Sequence, residues 1–313
     1  MTTITARAPG SIGNFSVGFD VLGVAIESVD GTPLYDKVVI SPGTADDHTL
    51  QVSGPYVRWL PENPEENLVW NCLERFKKHL PKALDIHLEK NLPVASGLGS
   101  SACSIVAAAS AFNVLSSRPL DRSRLLLLCA ELEGRISGDM HMDNIAPSLF
   151  GGAILCNEGN AQDIVHLQFP FHWRLVLAYS GQPVTTQAMR AILPDEFSTE
   201  LLSMQMMKLA RFTHAIDSGD HETAAACIVD HLAEPLRAPL LKGYEEARQY
   251  CLDNGALAVG ISGSGPTMFA VCGDDETANA LCSWLDQNYR VADHAFARIC
   301  RVQTGGTLVH RET

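Results

Sequence analysis

Short runs of alternating apolar and polar residues, bounded by glycine and proline, open the chain. Residues 4–8, 21–29 and 36–42 alternate in this way or run apolar, and predict strands. "ADDHTLQVSG" (45–54) predicts a hairpin arm. The spacing then changes. "ENLVWNCLERFKKHL" (66–80) places apolar residues at helical intervals and ends in basic residues, which suit a helix C-terminus. "LDIHLEK" (84–90) returns to alternation, and the Ala-rich run from Ser104 to Leu115 predicts a buried helix. "LDRSRLLLLCAELEGRIS" (120–137) predicts a second helix with Asp121 as its N-cap. "NIAPSLFGGAILCNEG" (144–159) breaks at Pro147 and at Gly151–Gly152 before another strand.

A polar stretch, "NEGNAQD", then precedes a new apolar start at "FPFHW", and a boundary is expected within 157–170. Beyond it, "RLVLAYS" predicts a strand and "PVTTQAMRAILP" a Thr-capped short helix. Helices are expected around 199–218, 221–233 and 240–254. "ALAVGISGSGPTMFAVCG" predicts strand, glycine turn and strand, residues 275–289 a helix, and "FARICRV" a final strand. The pattern is α+β. The 313 residues suffice for two domains, expected at 1–160 and 161–313.

A formal charge of −13 argues against nucleic acid or an anionic membrane as partner. An anionic ligand would need local donors. No run of 18 apolar residues occurs and the start lacks the form of a signal peptide, so a soluble, cytoplasmic protein is expected. The nine cysteines form no C-x-x-C pair and read as buried thiols. "GDMHMD" sets Asp139, His141 and Asp143 at alternate positions, which fits a metal site or a polar loop lining a site.

The chemistry concentrates in "KNLPVASGLGSSACSIVAAASAFNVL" (90–115). Gly97 and Gly99 let the backbone approach a ligand closely, and the first turn of a helix offers unpartnered N–H groups at its positive end. Phosphate binding and an ordinary glycine turn with serine caps both explain the stretch. No Gly-Lys pair exists, which excludes a Walker A loop. "GLGSSA" fits a dinucleotide fingerprint, but no acidic strand end follows about 20 residues later.

Two further stretches share the same character: "APGSIGNFSVGFD" (8–20) and "GISGSGPT" (260–267). The three together resemble the motifs of the GHMP kinases, in order, and Pro93 to Ala102 matches the central pattern P-x-x-x-G-L-G-S-S-A at each fixed position. Within that superfamily, "SVGFDVLG", "ELEGRISGDMHMDNIAPSLFGG" and "EPLRAPLLKGY" are similar to the homoserine kinase family. The resemblance implies a two-domain α+β fold. Its N-terminal domain would carry a left-handed β-α-β unit that forms the phosphate loop, and its C-terminal domain would be ferredoxin-like. It further implies ATP as phosphoryl donor, Mg2+, L-homoserine as acceptor and a homodimer.

By the same resemblance, the ATP phosphates lie on Pro93, Val94, Ala95, Ser96, Gly97, Leu98, Gly99, Ser100, Ser101, Ala102 and Cys103. Ser101 and Glu133 are the implied magnesium ligands, with Ser100 facing the phosphates or exchanging roles with Ser101. Asn67 matches a position near adenine and equally a helix N-cap. Asn14 and Asp20 match residues contacting the amino acid, although Asp20 also fits a turn cap. Arg190 and Arg237 match carboxylate-binding arginines, and Thr186 a hydroxyl beside the reacting centre. "GISGSGPT" is expected to close the site and also fits a tight turn between strands. Asn144 stands where related kinases carry an aspartate. An amide accepts no proton near neutral pH, so catalysis without a side-chain base is expected, with Asn144 holding the hydroxyl. Asp143 is not expected to substitute, because adjacent side chains point differently. A ligand-sensing regulator on this fold, and a kinase for another small alcohol, are the competing readings.

Overall fold

The computed structural model describes residues 2–43, 47–137, 140–156 and 163–312. The first half builds β1 (Thr3–Pro9), β2 (Ser11–Gly13), β3 (Leu22–Ser28), β4 (Tyr35–Pro42), β5 (Thr49–Ser53), α1 (Leu68–Phe76) and β6 (Leu84–Glu89). It continues with α2 (Ser100–Leu115), α3 (Arg122–Ser137), α4 (Ile145–Phe150) and β7 (Ala153–Leu155). The second half contains β8 (Val165–Leu167), β9 (Arg174–Tyr179), α5 (Thr186–Ala191), α6 (Thr199–Ser218), α7 (His221–Ala226), α8 (Glu234–Arg237) and α9 (Tyr244–Asp253). It ends with β10 (Ala258–Ile261), β11 (Met268–Cys272), α10 (Asp275–Asn288), β12 (Phe296–Val302) and β13 (Leu308–Glu312). Among these residues no helix is long and apolar enough to cross a membrane.

One sheet has the order β13-β1-β4-β6-β5. Alternation along its strands buries Ile4, Ala6, Ala8, Val38, Ile40, Ile86 and Leu88. The helix α2 packs on β1 and β4 and is also covered by α1, α3 and α4, which is why nearly all its positions are small or apolar. The second sheet has the order β10-β11-β9-β12-β3-β7-β8. Its β9, β10, β11 and β12, with helices after β9 and β11, form the ferredoxin-like arrangement. The strands β3 and β7 come from the first half, so both halves share this sheet.

Several local expectations change. The glycine-loop helix begins at Ser100, one turn earlier than its alanine pattern indicates, because Gly99 takes a left-handed conformation (φ 62°) directly before it. β5 is not a hairpin arm. It pairs in parallel with β6, across a connection that includes α1. Pro147 lies inside α4, at a position whose N–H would be unpartnered anyway. The helix expected over 221–233 stops at Ala226. Asp230 then caps α8 by accepting from the N–H groups of Leu232, Ala233 and Glu234 at 2.7, 2.8 and 3.0 Å. The strand β13 was not anticipated. Its side chains are half or fully exposed, and only its antiparallel pairing with β1 defines it. Residues 157–162 of the expected boundary lie outside the described residues.

Beneath the glycine loop the Lys90 ammonium and the Asp36 carboxylate are buried against each other. Lys90 also donates to the Ser100 carbonyl and to Ser104 Oγ, both at 2.9 Å. Asp36 accepts from the N–H groups of Asn91 (2.9 Å) and Leu92 (3.1 Å) and from Ser104 Oγ (2.6 Å). The pair thus joins β4, the end of β6 and the first turn of α2. Removing one partner would strand a charge in the core, at a cost of about 3–5 kcal/mol. Asp36→Ala should lower the free energy of urea unfolding by that amount. The double replacement Asp36→Leu/Lys90→Met should lose less than Asp36→Ala alone.

Candidate active site

The three glycine-rich segments meet in one cleft of about 550 Å³. Backbone bonds knit them together. The Gly263 N–H donates to Gly13 O (3.0 Å), Thr267 N–H to Ser96 O (3.1 Å) and Ser11 N–H to Leu98 O (3.1 Å). Ser262 Oγ donates to Gly97 O at 2.6 Å. Gly97 has φ +81°, and a Cβ there would lie 2.3 Å from Ser262 O. A Cβ on Gly99 would lie 2.4 Å from Ser11 Oγ. These glycines therefore serve the approach of the other two segments.

Val94, Ala95, Ser96, Gly97, Gly99, Ser100 and Ser101 line the cleft, whereas Pro93, Leu98, Ala102 and Cys103 are buried behind it. The loop's carbonyls are engaged from outside. Those of Ala95, Ser96, Gly97 and Leu98 accept from Val184 N, Thr267 N, Ser262 Oγ and Ser11 N, and that of Ser100 from Lys90. This leaves the N–H groups at the start of α2, at the positive end of a 16-residue helix, to an anion.

Ser101 Oγ donates to Glu133 Oε1 at 2.6 Å, and both residues line the cleft. Burial raises the Glu133 carboxyl above its ordinary range, while the bond from Ser101 opposes the shift. A hydroxyl and a carboxylate side by side are hard oxygen donors that suit magnesium, which needs only one or two protein ligands. Ser100 Oγ is turned the other way and donates to Leu92 O at 3.3 Å. Asn67 caps α1 through the Val69 N–H (3.0 Å) and also lines the cleft. Trp59 stands on the same wall with Arg58 stacked on its ring at 3.9 Å. Nothing in its local sequence marked it.

One expectation fails at Asp143 and Asn144. The two side chains do not diverge: Asn144 Nδ2 donates to Asp143 Oδ2 at 3.1 Å, and Ser11 Oγ donates to Asn144 Oδ1 at 2.9 Å. The chain turns here to enter α4, and both groups converge on Gly13, where a Cβ would lie 2.5 Å from Asp143 Oδ2. Burial, with the negative Asp20 nearby, raises the Asp143 carboxyl to about 6.

The far end of the cleft is charged. Arg190 grips Asp20 with both Nη atoms, at 2.8 and 3.0 Å. His141 Nε2 touches the same guanidinium. Arg237 is buried, donates to Gly263 O at 3.0 Å and lines the cleft. Burial lowers its pKa. Asn14 Oδ1 accepts from the Asp20 N–H (2.9 Å), and Thr186 Oγ1 lies 3.3 Å from Ser264 Oγ. Asn14, Phe15, Ser16 and Asp20 all have positive φ (64°, 43°, 54° and 61°), so backbone strain is concentrated in this segment. Asp139 lies outside the described residues. Among the described ones no group of three or more His, Cys, Asp or Glu is arranged to hold a metal ion.

The family model for the GHMP kinases N terminal domain matches residues 67–152, and that for the GHMP kinases C terminal domain matches 212–291. The crystal structure of homoserine kinase from Cytophaga hutchinsonii is similar over 98% of this chain and 97% of its own, with 29% identity and a TM-score of 0.85. A Listeria monocytogenes protein assigned as a homoserine kinase aligns over 99% of this chain and 100% of its own, at 23% identity and TM-score 0.75. The L. major mevalonate kinase in complex with R-mevalonate covers 96% of each chain, at 18% and 0.70. The last two likenesses speak for the fold alone.

The Asp143 shift has a consequence for stability. Its folded carboxyl, at about 6, holds a proton that the unfolded chain releases near 3.8. This group's contribution therefore favours the folded state at low pH and declines as pH rises through that window. Asp143→Asn should gain in unfolding free energy relative to wild type as pH rises from about 4 to about 7. Denaturant titrations at a series of pH values will show the widening difference; a constant difference would place the Asp143 carboxyl at its ordinary range.

Proposed function

This chain belongs to the GHMP kinases and is an ATP-dependent small-molecule kinase, and from that premise we propose that its acceptor is L-homoserine. The product would be O-phospho-L-homoserine, and the role one in threonine biosynthesis. The proposal includes magnesium as the metal and a homodimer as the assembly. The observation that carries the acceptor reading is the charged end of the cleft: one carboxylate paired to one guanidinium, with a second guanidinium in the same cavity. An amino acid brings the complementary set. Its ammonium suits Asp20, and its carboxylate suits the forks of Arg190 and Arg237. A simple sugar offers neither charge. The likeness to the Cytophaga protein, named a homoserine kinase, points the same way.

In this reading the N–H groups at the start of α2 hold the phosphates, and Ser101 with Glu133 would hold magnesium, which neutralises phosphate charge when bound. Asn144 has its Oδ1 engaged by Ser11 and one Nδ2 hydrogen by Asp143. The other hydrogen is left for the acceptor's hydroxyl oxygen and fixes its line of approach. That oxygen bonds to the γ-phosphorus as the bond to the bridging oxygen of ADP breaks. In a loose transition state the hydroxyl proton leaves late and passes to a phosphate oxygen. Loop and metal residues suitable for turnover favour a kinase over a ligand-sensing regulator. ADP release measured with ATP and magnesium against homoserine, mevalonate, galactose and shikimate tests the acceptor; turnover with mevalonate or galactose but not homoserine refutes it.

Asp20→Asn separates the two substrate charges. It removes the ammonium's partner, so the KM for homoserine should rise about 10- to 150-fold. It also frees Arg190, so 4-hydroxybutanoate, which has the carboxylate but no ammonium, should become a better substrate than for wild type. A fall for both compounds would place Asp20 outside ammonium recognition.

Asp143→Asn addresses the base. General base catalysis contributes about 10²- to 10⁴-fold, so a variant that keeps kcat within about tenfold of wild type fits late proton loss. A drop beyond about a hundredfold would make Asp143 the base.

A further inference from the structure

Gln205 lies mid-way along α6, on the face that carries Phe212 and Ile216 into the core, and it is buried. An amide among these positions must have its bonds met by other groups. Its Nε2 lies 2.8 Å from Val17 O, 3.2 Å from Val229 O and 3.4 Å from Ser16 O. Its Oε1 accepts from the His231 N–H at 2.9 Å. One side chain therefore binds two irregular segments that are distant in sequence.

Each of those segments presents one half of the acceptor end. Ser16 and Val17 lie between Asn14 and Asp20, in the run with left-handed φ that neither a helix nor a sheet ladder supports. Val229 and His231 flank Asp230, whose carboxylate caps the short helix ending at Arg237. The two halves meet at Gly263 O, which accepts from Arg237 Nη1 at 3.0 Å and from Asn14 Nδ2 at 3.4 Å, and at Phe19, whose ring centroid lies 5.8 Å from the Arg237 guanidinium. Phe15 anchors the first segment from below, stacked on Phe269 at 4.9 Å with Phe212 of α6 at 6.3 Å. Gln205 is not in the wall of the cleft.

We infer that Gln205 is a positioning residue that sets the spacing between the Asn14–Asp20 half and the Arg237 half of the acceptor site. The inference rests on the proposed placement of the acceptor between Asp20 and Arg237, and it holds for any acceptor bound there. The nucleotide end receives no bond from this amide.

Two variants test it. Gln205→Leu keeps the volume and removes the amide. Gln205→Glu keeps an acceptor for the His231 N–H, sets a carboxylate oxygen against the carbonyls of Ser16, Val17 and Val229, and serves if the leucine variant does not fold. Each should raise the acceptor KM by about 10- to 100-fold, as a misplaced contact does. The KM for ATP should stay within about twofold. Equal shifts in both constants, or none, overturn the inference, because a merely structural residue would not split them. If homoserine is not turned over by wild type, the acceptor reading fails separately, and the same split is measured with whichever alcohol of the panel releases ADP. Crystal structures of the variants give a readout that needs no turnover: Asn14, Asp20 and Arg237 unmoved relative to one another would equally overturn it.

Discussion

A peptide group cannot turn its N–H toward an anion without its carbonyl finding a donor elsewhere. That constraint organises the cleft. The carbonyls of Ala95, Ser96, Gly97, Leu98 and Ser100 are met by donors from residues 184, 267, 262, 11 and 90. The three glycine-rich segments must converge for this to happen, and their small residues allow it. A chain of formal charge −13 can thereby present a local positive face with no lysine in the loop itself. Lys90, which comes near, is neutralised by Asp36 and contributes by fixing the loop's carbonyl side.

The far end of the cleft is built on the opposite principle. Its groups are charged, and their positions are set by strained or irregular backbone. Left-handed φ at three successive non-glycine residues is unfavourable, so the surrounding packing must hold it in place. Phe15 supplies apolar contact on one side and the Gln205 amide supplies hydrogen bonds on the other. The bidentate Asp20–Arg190 pair gives each charge a partner before any substrate arrives. For the proposed amino-acid acceptor, binding would be an exchange of ion pairs, which limits the desolvation it costs.

Much of this architecture was legible in the sequence. Alternating or continuous apolar runs located β1, β3, β4, β6 and β9 to within a residue or two, and the glycine segments that line the cleft stood out because their composition is local. What escaped depends on distant partners. The pairing of Lys90 with Asp36 joins residues 54 positions apart, and neither is unusual in its own stretch. β5 alternates equally well in a hairpin or a parallel pair. The meeting of Asp143 and Asn144 follows from how the chain enters α4, which adjacency in sequence does not reveal. Gln205 did leave a signal. It shares a helical face with Phe212 and Ile216, and a polar residue at a core position calls for a partner.

The pairing of β13 with β1 bears on how the molecule forms. Thr3 lies opposite Glu312, and Arg7 opposite Leu308. During synthesis the outer edge of β1 is complete only after residues 308–312 have emerged. Until then it presents unpaired backbone groups of the kind that template association between chains. β3 likewise waits for β12. The ferredoxin-like unit also closes long loops, since Ala178 of β9 lies opposite Met268 of β11 and Tyr179 lies opposite Phe296 of β12. Neither sheet is therefore complete until β12 and β13 have been made, although the glycine loop is translated early.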